Sequence, residues 1–208
     1  MFSGFRLHRA LLLTAVAGTV AITQSSLASE HKGEQGHAAL ANCTILIIRH
    51  AEKPDMGPEL TPAGEARAKA YVGYFTHLKL DGKKWHASHL FAAADGKDSH
   101  RPRLTITPLS QATGMPLDLR FGSKDVTELA TDLQSHRYGR EILICWRHGK
   151  IPALISALGA NPDPLFPSGK WPGETYDWMV EVPFDASGKV KPQEVKILHE
   201  HLMPGDSK

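Results

Sequence analysis

The feature of this chain that most narrows its fold is the run Thr44-Ile45-Leu46-Ile47-Ile48, short, unbroken and rich in β-branched residues, which stops at the polar pair Arg49-His50. Continuous apolar runs of this length suit strands buried on both faces of a parallel sheet, whereas a strand with one wet face alternates. A second such run occupies residues 141–146 and is followed by Arg147-His148-Gly149. In open α/β sheets ligands gather beyond the carboxyl ends of the strands, so the two histidines stand where a site is expected.

The intervening segments alternate strand and helix. Thr61 is placed to cap a helix with Pro62 at its first position, and Ala66, Ala70, Phe75 and Leu78 keep helical spacing behind it. Residues 90–93 read as a short strand, a helix opens between Ser99 and Arg101, and residues 117–119 read as another strand. Ser123 is the expected cap of a helix whose Val126, Leu129, Ala130 and Leu133 share a face. Residues 151–158 form the next helix, closed by Gly159. Residues 161–173, rich in Pro and Gly, read as a surface loop. The segments 179–184 and 195–198 read as a hairpin around Asp185-Ala186-Ser187-Gly188. This order predicts a three-layer α/β/α sandwich with a mostly parallel central sheet.

Residues 1–28 follow the plan of a secretory signal, with basic Arg6, His8 and Arg9, an apolar stretch over 10–22, and Ser26-Leu27-Ala28 as a cleavage site. A membrane anchor is the competing reading, but the stretch falls short of the roughly 20 apolar residues a span requires and contains Thr14, Gly18 and Thr19. Residues 29–41 read as a flexible lead-in, 42–203 as one domain and 204–208 as a tail. The expected product is exported, periplasmic or secreted, without a membrane span. Of the 24 basic and 22 acidic residues, Arg6 and Arg9 leave with the signal, so the remainder is formally neutral. That balance argues against a nucleic-acid partner. Cys43 and Cys145 would lie several residues apart along adjacent strands, too far for a disulfide at roughly 3.3 Å per residue, and are expected as buried thiols.

Arg49-His50-Ala51-Glu52 after an apolar strand, then Leu60-Thr61-Pro62-Ala63-Gly64, resembles the signature of the histidine phosphatase superfamily, whose usual form has Gly where Ala51 stands. Arg101-Pro102-Arg103-Leu104-Thr105 resembles the family's second element, an Arg opening a helix four residues before a Thr, and His148-Gly149 its third. The three elements arrive in the family's order over residues 44–159. The resemblance implies a phosphoglycerate mutase-like fold and a metal-independent phosphatase without cofactor. In it His50 is the nucleophile, Arg49 and Arg101 are phosphate-binding forks, and His148 completes the clamp. Such chemistry needs an uncharged imidazole among cations that bind the anion and keep the ring deprotonated. Planar guanidinium groups pair with phosphate oxygens, and the helix opening near Arg101 adds N–H groups. The expected partners are a phosphorylated small molecule or phosphate borne by the envelope or a protein.

The general acid is less well marked. The acid-phosphatase branch of the family has Asp directly after the second histidine, where this chain has Gly149. The mutase-like branch uses a Glu between the second arginine and the second histidine, where this chain offers Asp118, Asp125, Glu128 and Asp132. Asp125 and Glu128 are the candidates, and each is also an ordinary acid for a first helical turn. Arg103 is the rival of Arg101, and Arg147 reads as a surface charge. The pair His86 and His89, and the pair His199 and His201, read as solvated histidines rather than metal ligands for want of converging partners. Trp171 and Trp178 read as packing, with a pocket wall as the lesser alternative. A noncatalytic phosphate-binding protein, a phosphomutase and a histidine-based metal carrier are the rival functions.

Overall fold

The computed structural model describes residues 38–206; the signal-peptide reading and most of the lead-in lie outside them. Among the described residues no helix is long and apolar enough to cross a membrane.

The chain runs β1 (Thr44–Arg49), α1 (Pro62–His77), β2 (Lys79–Leu80), β3 (Lys83–Lys84), β4 (His89–Ala92), α2 (Arg101–Thr113), β5 (Leu117–Asp118), α3 (Val126–Ser135), β6 (Glu141–Trp146), α4 (Ile151–Ala157), β7 (Trp178–Pro183) and β8 (Lys196–His199). The main sheet has the order β5-β4-β6-β1-β7-β8. Its first four strands are parallel, and β7 and β8 are antiparallel to their neighbours. Period-two alternation divides β1 between two cores. Ile45 and Ile47 join Leu129, Leu133, Leu154 and Ile155 of α3 and α4. Leu46 and Ile48 join Tyr71, Phe75, Ile106 and Leu109 of α1 and α2. A strand with a helical layer on each side has no wet face, which is why its sequence does not alternate.

Thr61 caps α1, its hydroxyl accepting from the Gly64 N–H at 3.1 Å. Gly64 is there for space: a Cβ would lie 2.5 Å from the Glu52 carbonyl oxygen. Gly→Ala inside an ordinary helix gains up to about 1 kcal/mol. At Gly64 the sign is expected to reverse, and thermal unfolding of Gly64→Ala should show a lower Tm.

Several expectations are corrected. Asp125, not Ser123, stands at the start of α3, where its Oδ2 accepts from the Gly122 N–H at 2.8 Å, while the Ser123 carbonyl accepts from Trp146 Nε1. The lead-in does not reach residue 41, because Leu40 and Ala41 are buried and the Asn42 N–H bonds the Asp185 carbonyl. The 161–173 loop is not wholly superficial: Phe166 and Trp171 are buried and stacked, with Trp178 beside them, so both tryptophans serve packing. The short hairpin of β2 and β3 turns on Asp81 and Gly82, both at positive φ. The tail does not begin at 204, because Asp206 accepts from the Leu202 and Met203 N–H groups and from Arg67.

Arg67 is buried on α1 and pairs with Glu52 at 2.9 Å, Asp206 at 2.5 Å and Glu200 at 3.5 Å. Burial pushes the Glu200 carboxyl up to about 8, with the Tyr71 hydroxyl donating to it at 2.8 Å. The cluster fastens the end of the described chain to the segment that follows His50.

Candidate active site

The ladder between β1 and β6 continues one step past β1, where the His50 N–H donates to the Trp146 carbonyl at 3.0 Å. Both strands then end at the same level, and the short 3-10 turn His148–Lys150 brings His148 against His50, with ring centroids 5.4 Å apart. The third element is tied in through Thr105. Its hydroxyl accepts from the Ala51 N–H and donates to the Arg101 carbonyl, each at 2.8 Å, so the first turn of α2 is hung from the tip of β1. Ala51 is buried and is not among the positive-φ residues, so its methyl group forces no left-handed backbone.

A cavity of about 310 Å³ opens here, lined by His50, His148, Arg101, Arg147 and the loop residues Lys53, Asp55 and Asp98 among others. His50 Nδ1 lies 2.8 Å from the Ala51 carbonyl. A carbonyl only accepts, so the proton is on Nδ1 and the lone pair on Nε2. Burial lowers the His50 pKa to about 3, with help from Arg49, His148 and Arg101 against the bond to Ala51. Burial likewise lowers His148 to about 4, together with Arg49, Arg147, Lys53 and Arg101. Both rings are therefore uncharged at neutral pH.

Arg101 is nearly buried, its guanidinium donating to the Gly57 carbonyl at 2.7 Å and the Asp98 carbonyl at 3.2 Å, while its buried Nε has no partner. Burial, then Arg147, lowers its pKa. Arg103 points elsewhere, into an ion pair with Asp95 at 2.8 Å, so Arg101 is the arginine at the cavity.

Arg49 is placed differently from the expectation that it faces the anion. It is fully buried behind the cavity, and its Nη1 donates to the carbonyls of Gly173 at 2.6 Å, Thr175 at 3.0 Å and Pro172 at 3.4 Å. Its plane lies 3.8 Å over the Tyr176 ring, and Nη2 is 3.3 Å from His148 Nδ1. The same Nδ1 lies 3.4 Å from His50 Nε2; a guanidinium only donates, so with Arg49 as its partner His148 Nδ1 accepts, its proton sits on Nε2, and no hydrogen lies between the two rings. Burial lowers the Arg49 pKa to about 10, which leaves it charged at neutral pH.

Neither acid candidate reaches the His50 cavity. Asp125 lines an adjoining cleft, and Glu128 lines a separate groove beside Phe121 and His136. The carboxylates that do line the cavity, Asp55 and Asp98, sit on loops without a periodic signal. Arg147 was expected at the surface. It is exposed, yet it lines both the cavity and the cleft, because the chain leaves β6 for a 3-10 turn and strand alternation ends there. No group of three or more His, Cys, Asp or Glu suited to a metal occurs among the described residues. His89 instead pairs with Asp118 at 3.4 Å and His199 with Asp177 at 3.5 Å.

The shifted rings fix a pH dependence. Nε2 of His50 keeps its lone pair until the pH approaches 3, so kcat/KM on an aryl phosphate is expected to show no enzymic loss at the ordinary histidine value of 6.5. A profile corrected for ionisation of the ester checks this. For stability, unfolded histidines take up protons more readily than these folded ones. The stabilising contribution is thus complete above pH 6.5 and is lost as the pH falls through 6.5 toward 4 and 3.

The six-stranded, largely parallel sheet with helices on both faces is a phosphoglycerate mutase-like fold. Among solved structures, a phosphoglycerate mutase from Plasmodium falciparum is 16% identical, with a TM-score of 0.51 over 81% of this chain and 98% of that one. A protein of Escherichia coli K-12 assigned as an α-ribazole-5'-phosphate phosphatase is 11% identical, with a TM-score of 0.53 over 79% of this chain and 100% of that one. No protein-family model matches the sequence, and no curated protein does.

Proposed function

We propose that the chain is a phosphatase that moves the phosphoryl group of a phosphate monoester or phosphoramidate onto Nε2 of His50 and then hydrolyses the phosphohistidine, using no metal or other cofactor. The observation that carries this reading is the Nδ1 bond from His50 to the Ala51 carbonyl, which leaves an uncharged Nε2 lone pair in a cavity shared with Arg101 and His148. Nε2 attacks phosphorus as the bond to the leaving group breaks, and the leaving group takes a proton from solvent water. Water then attacks phosphorus, the P–N bond breaks, and inorganic phosphate departs. Arg101 and the Nε2–H of His148 donate to the phosphoryl oxygens, and Arg147 and Lys53 add positive charge where negative charge builds. Arg49 acts as a positioning residue, holding His148 in the tautomer that presents Nε2–H.

Brief mixing with a labelled phosphate ester, denaturation and mapping of acid-labile label tests the reading. Label on His50, formed with chelator present, supports it. A noncatalytic phosphate-binding role is the second reading, favoured by the distance of Asp125 and Glu128 from the cavity, and binding without turnover of an aryl phosphate would select it. The proposed periplasmic or secreted location rests on residues 1–28, and sequencing of the exported protein from Ser29 tests it.

A further inference from the structure

The His50 cavity adjoins a second cleft of about 280 Å³, and Asp98 and Arg147 belong to the lining of both. The cleft is space into which the leaving group of a phosphate ester held at His50 can extend. It is smaller than the roughly 300 Å³ at which pockets for drug-sized ligands begin. Its lining is mixed, with Lys97, Ser99, Ser123, Lys124 and Asp125 beside Ala93, Ala94 and Pro102.

Two observations describe the occupant. The first is a hydroxyl with nothing to bond: Ser99 is 6% exposed, and its buried Oγ has no hydrogen-bond partner. An unmet buried hydroxyl is destabilising, a deficit that a ligand hydroxyl within reach removes. The second is the charge balance. Asp95 is neutralised by Arg103 at 2.8 Å. Across cavity and cleft, Lys53, Lys97, Arg101, Lys124 and Arg147 then stand against Asp55, Asp98 and Asp125, an excess of two positive charges. One phosphomonoester near neutral pH carries about that much negative charge. A second acidic group on the leaving alcohol would meet no net positive charge, while carboxylates, ammonium groups and hydroxyls together suit a neutral molecule rich in hydroxyl groups.

We propose that this cleft is the leaving-group subsite and that it takes a small, uncharged, polyhydroxylated alcohol, so that the substrates are monophosphorylated sugars or sugar alcohols. The assignment rests on the phosphatase reading above. The test compares kcat/KM for glucose 6-phosphate, n-hexyl phosphate and fructose 1,6-bisphosphate, with p-nitrophenyl phosphate as the reference. Glucose 6-phosphate is expected to exceed n-hexyl phosphate by about tenfold or more, as for a site whose polar groups need partners. Ser99→Ala removes no bond within the protein and is expected to cut that ratio about fivefold or more. Because the ratio is taken within each protein, changes in the active fraction cancel. Equal rates on the sugar and alkyl esters, an unchanged ratio in Ser99→Ala, or preference for the bisphosphate would overturn the subsite. Absence of turnover on p-nitrophenyl phosphate would instead overturn the phosphatase reading itself.

Discussion

His50→Ala is expected to abolish the acid-labile phosphoenzyme and to lower kcat on p-nitrophenyl phosphate by about 10⁴-fold or more, the scale on which loss of a nucleophile is felt. The leaving group of this ester needs little help from an acid, so the comparison isolates attack at phosphorus. Removing the imidazole takes away Nε2 but leaves Arg101 tied to the Gly57 and Asp98 carbonyls and His148 held by Arg49. Phosphate should therefore still bind, and calorimetry with inorganic phosphate checks that the cavity survives. The same change removes a ring that resists protonation. Unfolding in urea between pH 4 and 6.5 should accordingly depend less on pH than in the wild type. Full turnover by the variant, or label retained at another residue, would remove His50 from the mechanism.

Arg49→Lys is expected to damage both fold and activity, although the charge is kept. One guanidinium reaches the carbonyls of Pro172, Gly173 and Thr175, the ring of His148 and the face of Tyr176. An ammonium group puts its three donors at one point and cannot meet the loop and the imidazole together. Each carbonyl left without a donor costs about 1–3 kcal/mol, so a loss of roughly 3 kcal/mol in urea unfolding is expected. Release of His148 should lower kcat along with it. Arg101→Lys, at a more open position, should weaken phosphate binding with a smaller loss of stability. An Arg49→Lys protein that unfolds at the wild-type urea midpoint would show that the 172–175 loop does not depend on this side chain.

The parts of the fold that can be read from the chain are those whose burial leaves a local imprint. β1 and β6 are covered on both sides, so their runs are apolar throughout and their ends are sharp. Thr61-Pro62 carries its own capping chemistry, and Arg49-His50, Arg101 and His148-Gly149 carry the family resemblance. What escapes is set by distant partners. Arg67 looks like any helical arginine, and only the fold brings Asp206 to it across 139 positions. Arg49 likewise meets carbonyls about 125 residues away, and a carbonyl has no signature in a sequence. Arg147 follows a strand whose alternation would send it outward, and the 3-10 turn that redirects it has only three residues. The hairpin of β2 and β3 has its Asp81-Gly82 turn signal, but two-residue, lysine-bearing strands offer no pattern beside it. Asp125 and Glu128 satisfied the order of the family's elements, yet α3 lies outside the wall around His50.

Cys43 and Cys145 belong to opposite layers of the domain, one packed with the α3 and α4 side and the other with the α1 and α2 side. Burial pushes the Cys43 thiol up to about 12 and raises Cys145 as well. The sheet itself stands between the two sulfurs, so an oxidant cannot join them without dismantling the protein. The fold therefore forms without a disulfide between its two cysteines.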